Sequence, residues 1–206
     1  MKQEVASFLD YVAHSPTVFQ ATQQACDMLD AAGFTRLSEH EAWEILPGGR
    51  YYVTRNRSAL VAFAVPENGF THCQIVASHG DSPTFKLKAH AEGEAAGAYI
   101  RLDVEPYGGM IMSTWFDRPL SIAGRALVRE DGRLVTRLID LDRDAALIPN
   151  MPIHFNRDIN SGYSYNPQTD MLPLFGGKDA KGALAAEIAA KAGVKEEDVV
   201  ACDLFL

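Results

Sequence analysis

The sequence predicts an α/β fold in which a β-rich segment interrupts a region that combines helices and strands. Two amphipathic helical patterns precede the first strand-like run, and the long middle of the chain carries strand patterns separated by Gly, Pro and Asp. A helical pattern returns only after Gly176 and Gly177. These changes divide the chain into three predicted parts, residues 1–84, 85–175 and 176–206.

The N-terminal part begins with two predicted helices. Four apolar residues recur at helical spacing and predict a first helix that ends near His14: Val5, Phe8, Leu9 and Val12. Pro16 can start the second helix, because proline is tolerated in a first helical turn. Gly33 can end that helix, because glycine adopts the left-handed conformation of a helix cap at little cost.

Three strands are predicted after these helices. Residues 51–54 and 59–65 are short β-rich runs separated by a polar turn, which is typical of a hairpin. Residues 72–77 form an apolar run that predicts a buried strand, and His79 follows it closely. The carboxyl end of such a strand is where open α/β folds place their ligands and chemistry.

The middle part predicts β structure without a helix. Residues 99–104, 121–129 and 133–141 carry the alternation of half-buried strands. The three residues between the last two runs have the composition of a hairpin turn: Glu130, Asp131 and Gly132. We therefore expect this part to form a separate β-rich insertion.

The last part predicts one helix and one strand. A helical face ends at Gly193 and contains three apolar residues: Leu184, Ile188 and Ala192. The acidic residues 196–198 predict a further helix start, where carboxylates favour the helix dipole. Residues 199–206 predict the start of a strand whose apolar groups need neighbouring strands, and we expect this sequence not to supply them.

Composition excludes several classes of protein. The formal net charge of −8 argues against a nucleic-acid binder or an anionic-membrane binder, because these need clustered Lys and Arg. No stretch approaches the roughly 20 apolar residues that cross a bilayer. Three widely separated cysteines indicate neither a disulfide framework nor a cysteine zinc site: Cys26, Cys73 and Cys202. Because the N-terminus lacks the pattern of a secretory signal, we expect a cytoplasmic protein.

The most informative residues are His79 and Asp81. An imidazole nitrogen of His79 can bind a divalent cation, while Asp81 can orient either that histidine or a catalytic carboxylate from another segment. The alternative is a structural pair, in which His79 is a satisfied core histidine and Asp81, with Ser82 and Pro83, caps a turn. A hydrolase with Ser82 as nucleophile is a weaker alternative, because no GxSxG motif surrounds that serine.

A second dense segment spans residues 104–120. Two adjacent glycines, Gly108 and Gly109, permit backbone geometry closed to other residues. Asp117 and Arg118 follow a Trp-Phe pair and can form a buried ion pair. The pattern favours a hinge of the insertion, stabilised by an Asp117–Arg118 pair or by a pair across segments, over direct catalysis.

These motifs together resemble one enzyme family, the M18 metallopeptidases or aspartyl aminopeptidases. The similarity covers the chain from Phe8 to Leu206, and the motifs come in the family's order. They are the HxDSP element at 79–83, YGG at 107–109, STWFDR at 113–118, Ile-Pro at 148–149, Ile-His at 153–154, Arg157, Ile159 and Asn160, and NPQ at 166–168.

The resemblance implies an architecture and an activity. Residues 1–84 would be the first part of a zinc-aminopeptidase catalytic domain, in which helices flank a mixed sheet. Residues 85–175 would be a β-rich dimerisation domain inserted into it, and residues 176–206 a truncated return to the catalytic domain. Members resembling this chain bind two zinc ions, assemble into large homo-oligomers, and remove an N-terminal residue, often acidic, from peptides by means of metal-activated water.

The resemblance also assigns roles to three residues. His79 matches a histidine that binds one zinc ion, and Asp81 matches the aspartate of the catalytic machinery that supports the catalytic glutamate. Gly80 stands where the family commonly has Thr. His154 matches a histidine supplied to the neighbouring subunit's site, where it binds substrate. On residues alone, an isolated histidine in an apolar strand is more often structural.

The donors that would complete a two-zinc site are absent from this sequence. A dinuclear site needs a bridging carboxylate, further ligands and a general base, and the family supplies these after the point where this chain stops. We therefore interpret the chain as the N-terminal portion of such an enzyme, inactive alone. The alternative is a non-catalytic assembly protein that keeps the β-rich insertion to bind itself or a full-length relative.

Overall fold

The computed structural model describes residues 2–206 and confirms the mixed α/β class. The chain divides into two compact units, which meet in sequence between Ser82 and Pro83. The predicted part 176–206 lies wholly in the second unit. Its assignment to a catalytic domain remains a prediction, as does the interruption by a dimerisation domain.

The first unit begins with the two predicted helices, α1 (Gln3–Ala13) and α2 (Val18–Ala31). The second helix starts after Pro16 because the hydroxyl of Thr17 accepts a hydrogen bond from Phe19 N at 3.2 Å and caps its first turn. Gly33 follows α2 in the predicted left-handed conformation, with φ of 78°. Among the described residues, none of the helices has the length and apolar character needed to span a bilayer.

A three-stranded sheet completes the regular structure of this unit. Its strands are β1 (Thr35–Leu37), β2 (Arg50–Arg55) and β3 (Ala59–Ala64), with β2 in the centre. Strands β2 and β3 form the predicted hairpin, whereas the three-residue β1 was not predicted. Tyr52 on β2 is fully buried and donates to Asp30 Oδ1 of α2 at 2.7 Å. Burial and this hydrogen bond raise the pKa of Tyr52 to about 12.

The prediction of a buried strand at residues 72–77 is wrong. This segment is irregular in the structure, and the side chains of Ile75 and Val76 are 80% and 92% exposed. A strand requires a neighbour that pairs with its backbone groups, and neither sheet of the described residues includes this segment. His79 therefore lies in an exposed irregular segment and not at the end of a sheet strand.

The second unit contains an eight-stranded antiparallel sheet in the order β6-β9-β10-β5-β4-β11-β7-β8. Its strands are β4 (Thr84–Ala95), β5 (Tyr99–Tyr107), β6 (Pro119–Leu120), β7 (Ala123–Glu130), β8 (Arg133–Asp140), β9 (Ala146–Leu147), β10 (Leu174–Gly177) and β11 (Val199–Phe205). The predicted strands 99–104, 121–129 and 133–141 are confirmed to within three residues. The predicted hairpin turn is also confirmed, with Asp131 and Gly132 at positive φ.

The C-terminal part joins this same sheet. Helix α3 (Ala183–Ala192) ends at Gly193 as predicted, and a single 3₁₀ turn, Glu196–Asp198, precedes β11. The expectation that residues 199–206 lack neighbouring strands is wrong, because β11 pairs with β7 on one side and meets β4 at Phe205 on the other. Leu204 is accordingly 3% exposed.

The core of the second unit lies on the sheet face covered by α3 and by the segment around a 3₁₀ turn, Met112–Trp115. Phe85 is fully buried and packs edge-on against Trp115, with ring centroids 5.2 Å apart. Eight further apolar side chains of this core are fully buried: Leu102, Val104, Ile122, Ala126, Val128, Ile139, Ile148 and Met171. Burial of this kind is the main stabilising contribution of the unit.

Candidate functional site

His79 and Asp81 lie together in the first unit, as their spacing predicts. His79 Nδ1 is 2.8 Å from the backbone oxygen of Asp81 and 3.3 Å from its carboxylate Oδ1. The side chain of His79 is 80% exposed, and that of Asp81 is 38% exposed. The interpretation of His79 as a buried core histidine is therefore wrong.

This geometry fixes which nitrogen of His79 carries the hydrogen. A carbonyl oxygen only accepts, so Nδ1 must donate to Asp81 O. In the neutral imidazole the lone pair then lies on Nε2. Asp81 orients the ring in the way that carboxylates and carbonyl oxygens orient metal-binding histidines. The pair thus presents Nε2 of an exposed histidine as a donor for a cation.

The residues present do not complete a metal site. A protein zinc site takes three or four donors from His, Cys, Asp or Glu. Within residues 2–206, no three such side chains meet in a group that could hold an ion. His79 can therefore supply one ligand, and this part of the chain does not fit a zinc ion by itself.

His154 lies in the second unit, in the loop at residues 148–173 that joins β9 to β10, hereafter the β9–β10 loop. It occupies a hydrogen-bonded turn, closed by donation from Phe155 N to Pro152 O at 2.8 Å. Its side chain is exposed. The interpretation of His154 as part of an apolar strand is therefore wrong, and its role in substrate binding remains a prediction.

The STWFDR segment makes the predicted cross-segment contact, but not as an ion pair. Asp117 N donates to Ile148 O at 2.9 Å, and Asn150 N donates to Asp117 Oδ1 at 2.9 Å. Arg118 donates instead to the backbone oxygen of Thr114 at 3.3 Å. Asp117 thus binds the start of the β9–β10 loop through neutral backbone groups.

Asp170 lies near the other end of this loop, closes a turn within it, and was not singled out from the sequence. Its carboxylate accepts hydrogen bonds from Tyr163 Oη and Asn166 N, both at 2.8 Å, and from Thr169 Oγ1 at 3.0 Å. Burial raises the pKa of Asp170, but these hydrogen bonds outweigh burial and hold its pKa below the ordinary value. The signal in the sequence was the Asn166-Pro167 pair with Asp170 three residues after the proline, a composition that is typical of a turn capped by a side chain.

The second unit also has a cleft of about 570 Å³ between β4 and β11. The cleft arises where β4 bulges, because its pairing with β5 shifts register between Leu87 and Glu92. Apolar side chains of α3 and β11 line most of it, including Leu184, Ile188 and Leu204. Glu92 at its edge is engaged with α3, since its carboxylate accepts from the backbone N–H groups of Gly182 and Leu184.

Comparison with known proteins identifies one similar family. The family model described as aminopeptidase I zinc metalloprotease (M18) matches residues 11–206. A probable M18 family aminopeptidase 2 of Clostridium acetobutylicum is 41% identical over 220 residues, which cover 100% of this chain and 50% of the relative. Aspartyl aminopeptidase 1 of Schizosaccharomyces pombe is 44% identical over 177 residues, which cover 82% of this chain and 37% of the relative.

Solved structures agree with the sequence comparison. The S. cerevisiae mApe1 dodecamer has a TM-score of 0.80 and 26% identity, and the match covers 98% of this chain and 47% of that chain. The chain therefore spans about half the length of the proteins it matches, or less.

Proposed function

The chain belongs to the M18 family of zinc metalloproteases, and from that premise we propose that it supplies part of an aminopeptidase site. In this proposal His79 contributes one zinc ligand through Nε2. Asp81 orients the histidine and supports the catalytic base. The observation that carries the proposal is the pair itself, an exposed imidazole whose Nδ1 is bonded to Asp81, which leaves the lone pair of Nε2 to bind a cation.

The remaining donors are proposed to come from the part of the family's length that this chain does not span. A site for two zinc ions needs more ligands than His79 alone supplies, and the described residues contain no group of three that could hold an ion. The aminopeptidase activity, the second ion and the catalytic base are therefore attributes of a complete assembly. The chain by itself is proposed to be inactive.

The proposed substrate and the proposed assembly rest only on what the relatives are named. The Schizosaccharomyces pombe relative is an aspartyl aminopeptidase, so we propose peptides with an acidic N-terminal residue as substrates. The S. cerevisiae protein is a dodecamer, so we propose that this chain forms homo-oligomers through its β-rich unit, with His154 contributing to a neighbour's site. A cytoplasmic location is part of the same proposal, and neither nucleic acid nor membrane is a proposed partner.

The assembly-only alternative is not favoured, because the relatives are named as aminopeptidases. Complementation tests the choice between the two. The chain is co-expressed with the half of the Clostridium acetobutylicum relative that it does not match, and hydrolysis of Asp-, Glu- and Leu-aminoacyl substrates is measured with and without a chelator. We expect chelator-sensitive hydrolysis by the co-expressed pair and none by the chain alone.

Two variants assign the activity to His79. His79→Ala is expected to abolish hydrolysis by the co-expressed pair. His72→Ala is the matched control, since His72 is an exposed histidine of the same irregular segment, and it is expected to leave hydrolysis unchanged. Equal activity of the two variants would overturn the role of His79, and chelator-sensitive turnover by the purified chain alone would overturn the proposal that its donor set is incomplete.

A further inference from the structure

The β9–β10 loop is long for a connection between neighbouring strands. Strands β9 and β10 are antiparallel partners, with Leu147 opposite Leu174, yet residues 148–173 lie between them without a helix or strand of their own. Loops longer than about 15 residues are uncommon in compact domains and are usually either functional or disordered. This loop carries His154 between two exposed apolar side chains, Ile153 and Phe155, which are 47% and 78% exposed.

The start of the loop is held by Asp117. Its backbone N–H donates to Ile148 O, and its carboxylate accepts from Asn150 N, each at 2.9 Å. One residue therefore bonds to the chain on both sides of Pro149. Asp117 has φ of 55°, a left-handed conformation that aspartate tolerates better than most side chains. That conformation brings its own N–H and its carboxylate to the same short stretch of chain.

Near its end the loop is closed on itself by Asp170 and is contacted from outside by Phe116, the residue that precedes Asp117. The carboxylate of Asp170 gathers three donors, from Tyr163, Asn166 and Thr169. The ring of Phe116 packs against Tyr165 with centroids 5.1 Å apart. Adjacent residues of the STWFDR segment thus contact both ends of the loop, Asp117 at its start and Phe116 at its end.

From this arrangement we propose that Asp117 and Asp170 are positioning residues that hold the two ends of the β9–β10 loop and thereby fix where His154 lies. The proposal rests on the substrate-binding role proposed above for His154. Neither carboxylate touches the reacting atoms. Asp117 acts through the backbone at the start of the loop, and Asp170 acts through Asn166 N and two side-chain hydroxyls near its end, so that the exposed turn around His154 is presented in one conformation.

Two substitutions of Asp117 separate its hydrogen bond from its backbone conformation. Asp117→Gly accepts the left-handed backbone without strain but removes the acceptor for Asn150 N–H. Asp117→Asn keeps an oxygen in the same place and also tolerates this conformation. Asp131→Gly is the matched control, because Asp131 has a similar φ of 48° in the β7–β8 turn. All three variants are made in the 206-residue chain.

Amide hydrogen exchange and the histidine NMR spectrum provide the measurements. Asp117→Gly is expected to speed exchange at Asn150 N–H about tenfold, the effect of losing one good hydrogen bond. The His154 ring signal, assigned with His154→Gln, is expected to shift or broaden. Asp117→Asn and Asp131→Gly are expected to stay within about twofold of wild type in exchange at this amide. Unchanged exchange at Asn150 in Asp117→Gly, or an unchanged His154 signal, would overturn the proposal.

The end of the loop is tested in the same way. Asp170→Ala is expected to speed exchange at Asn166 N–H about tenfold. Met171 beside Asp170 is fully buried, so Asp170→Ala can also disturb the core. Tyr163→Phe removes only one donor from the carboxylate of Asp170 and is the milder second variant. It too is expected to move the His154 signal. If both variants left exchange at Asn166 N–H and the His154 signal unchanged, Asp170 would have no part in positioning the loop.

Kinetics of the complemented enzyme connect this positioning to substrate binding. Asp117→Gly is expected to raise KM for peptide substrates about fivefold while kcat stays within about twofold, because a misplaced substrate-binding group weakens binding rather than chemistry. Asp117→Asn is expected to restore KM. If the complemented pair is inactive, the proposed function fails, while exchange and NMR still decide the positioning. If exchange changes but KM does not, the link to His154 is wrong.

Discussion

Asp203 links three strands of the second unit through one carboxylate. Arg125 on β7 donates to Asp203 Oδ2 through Nε and Nη2, at 2.9 and 2.8 Å, and Lys86 Nζ on β4 is 3.2 Å from Oδ1. Burial raises the pKa of Asp203, but the hydrogen bonds and charges of Arg125 and Lys86 outweigh burial and hold its pKa below the ordinary value. The carboxylate therefore stabilises the sheet in its ionised form.

Asp203→Asn is expected to lower the free energy of unfolding at pH 7 by about 1 kcal/mol. The figure is modest because a third of the side chain is exposed and solvent screens the pairs. A depressed pKa contributes stability above the unfolded-state pKa of about 4, and this contribution is lost as the pH falls through the folded-state pKa. The difference between wild type and variant should therefore shrink below about pH 4. Urea unfolding at pH 7 and pH 3 measures it.

Glu130→Gln is the control for this effect. It weakens the ion pair with Arg137, whose side chain is 45% exposed, and exposed pairs contribute about 0–1 kcal/mol. We expect Glu130→Gln to lower the free energy of unfolding at pH 7 by less than Asp203→Asn does. If Asp203→Asn matched wild type at pH 7, or lost as much stability at pH 3, the assignment of stability to the ionised carboxylate would be wrong.

At the residue scale, local contacts were the predictable ones. The proximity of His79 and Asp81 followed from their separation by one residue, since side chains two apart in a turn can meet. The contact between Asp117 and Asn150 joins segments 33 residues apart, and their sequence spacing carries no information about it. The exposed turn around His154 was missed because its apolar neighbours Ile153 and Phe155 resemble those of a buried strand.

The pairing of β7 with β11 depends on Gly124. A Cβ atom at this position would lie 2.0 Å from Asp203 O and 3.0 Å from the Cα of Leu204. Backbone atoms of a central strand cannot move away without breaking the ladder. Gly124 also has φ of 154°, outside the range that L side chains commonly adopt.

Gly124→Ala is therefore expected to destabilise the protein by at least about 3 kcal/mol, through the clash and the loss of pairing. Gly132→Ala is the matched control, because Gly132 has positive φ but an added Cβ atom there would meet nothing within 4 Å. Its cost is expected to be about 1–2 kcal/mol, from backbone strain alone. Thermal unfolding of both variants measures the difference. Equal losses would mean that the close approach of β11 does not decide the requirement for glycine.

Helix α3 depends on β4 for its first turn. The N-cap position is Gly182, which has no side chain to cap the helix. Glu92 on β4 replaces that cap, because its two carboxylate oxygens accept from Gly182 N at 2.6 Å and from Leu184 N at 3.1 Å. A negative charge also suits the positive end of the helix dipole.

Glu92→Ala is expected to cost about 1 kcal/mol of unfolding free energy, the typical loss when an N-cap is removed. Glu94→Ala is the matched control from the same strand. The Glu94 side chain is 53% exposed and pairs with Lys181 at 3.2 Å, so its loss should cost less than about 0.5 kcal/mol. Urea unfolding followed by far-UV circular dichroism checks both. Similar small losses would show that Glu92 does not cap the helix.

At the element scale, sequence pattern predicted elements but not their partners. The hairpin of β2 and β3 and the turn before β8 were predictable, because turn chemistry and alternation are local. Residues 72–77 and 199–206 have similar apolar patterns, yet the first is unpaired and exposed while the second lies between β4 and β7. The difference lies in which distant strands are available to pair, and no short window of sequence contains that information.

At the scale of the whole molecule, the two units differ in how much core each contains. The main apolar cluster lies entirely in the second unit, between Phe85 and Leu204. The first unit has a small sheet, and its helix α1 buries no residue. Its buried apolar side chains are few: Phe19, Ala21, Cys26, Tyr51 and Tyr52. Small cores rarely exceed the conformational entropy of the chain that they must order.

Residues 83–206 expressed alone are therefore expected to unfold in one cooperative thermal transition, whereas residues 2–82 alone should show none. The two tryptophans make the comparison direct, since Trp43 lies in the first fragment and Trp115 in the second. Trp115 packs against fully buried Phe85, so its fluorescence should change sharply at the transition. Trp43 is 44% exposed, and its emission should vary gradually with temperature. A cooperative melt of residues 2–82, or a broad one of residues 83–206, would contradict this assignment of stability to the β-rich unit.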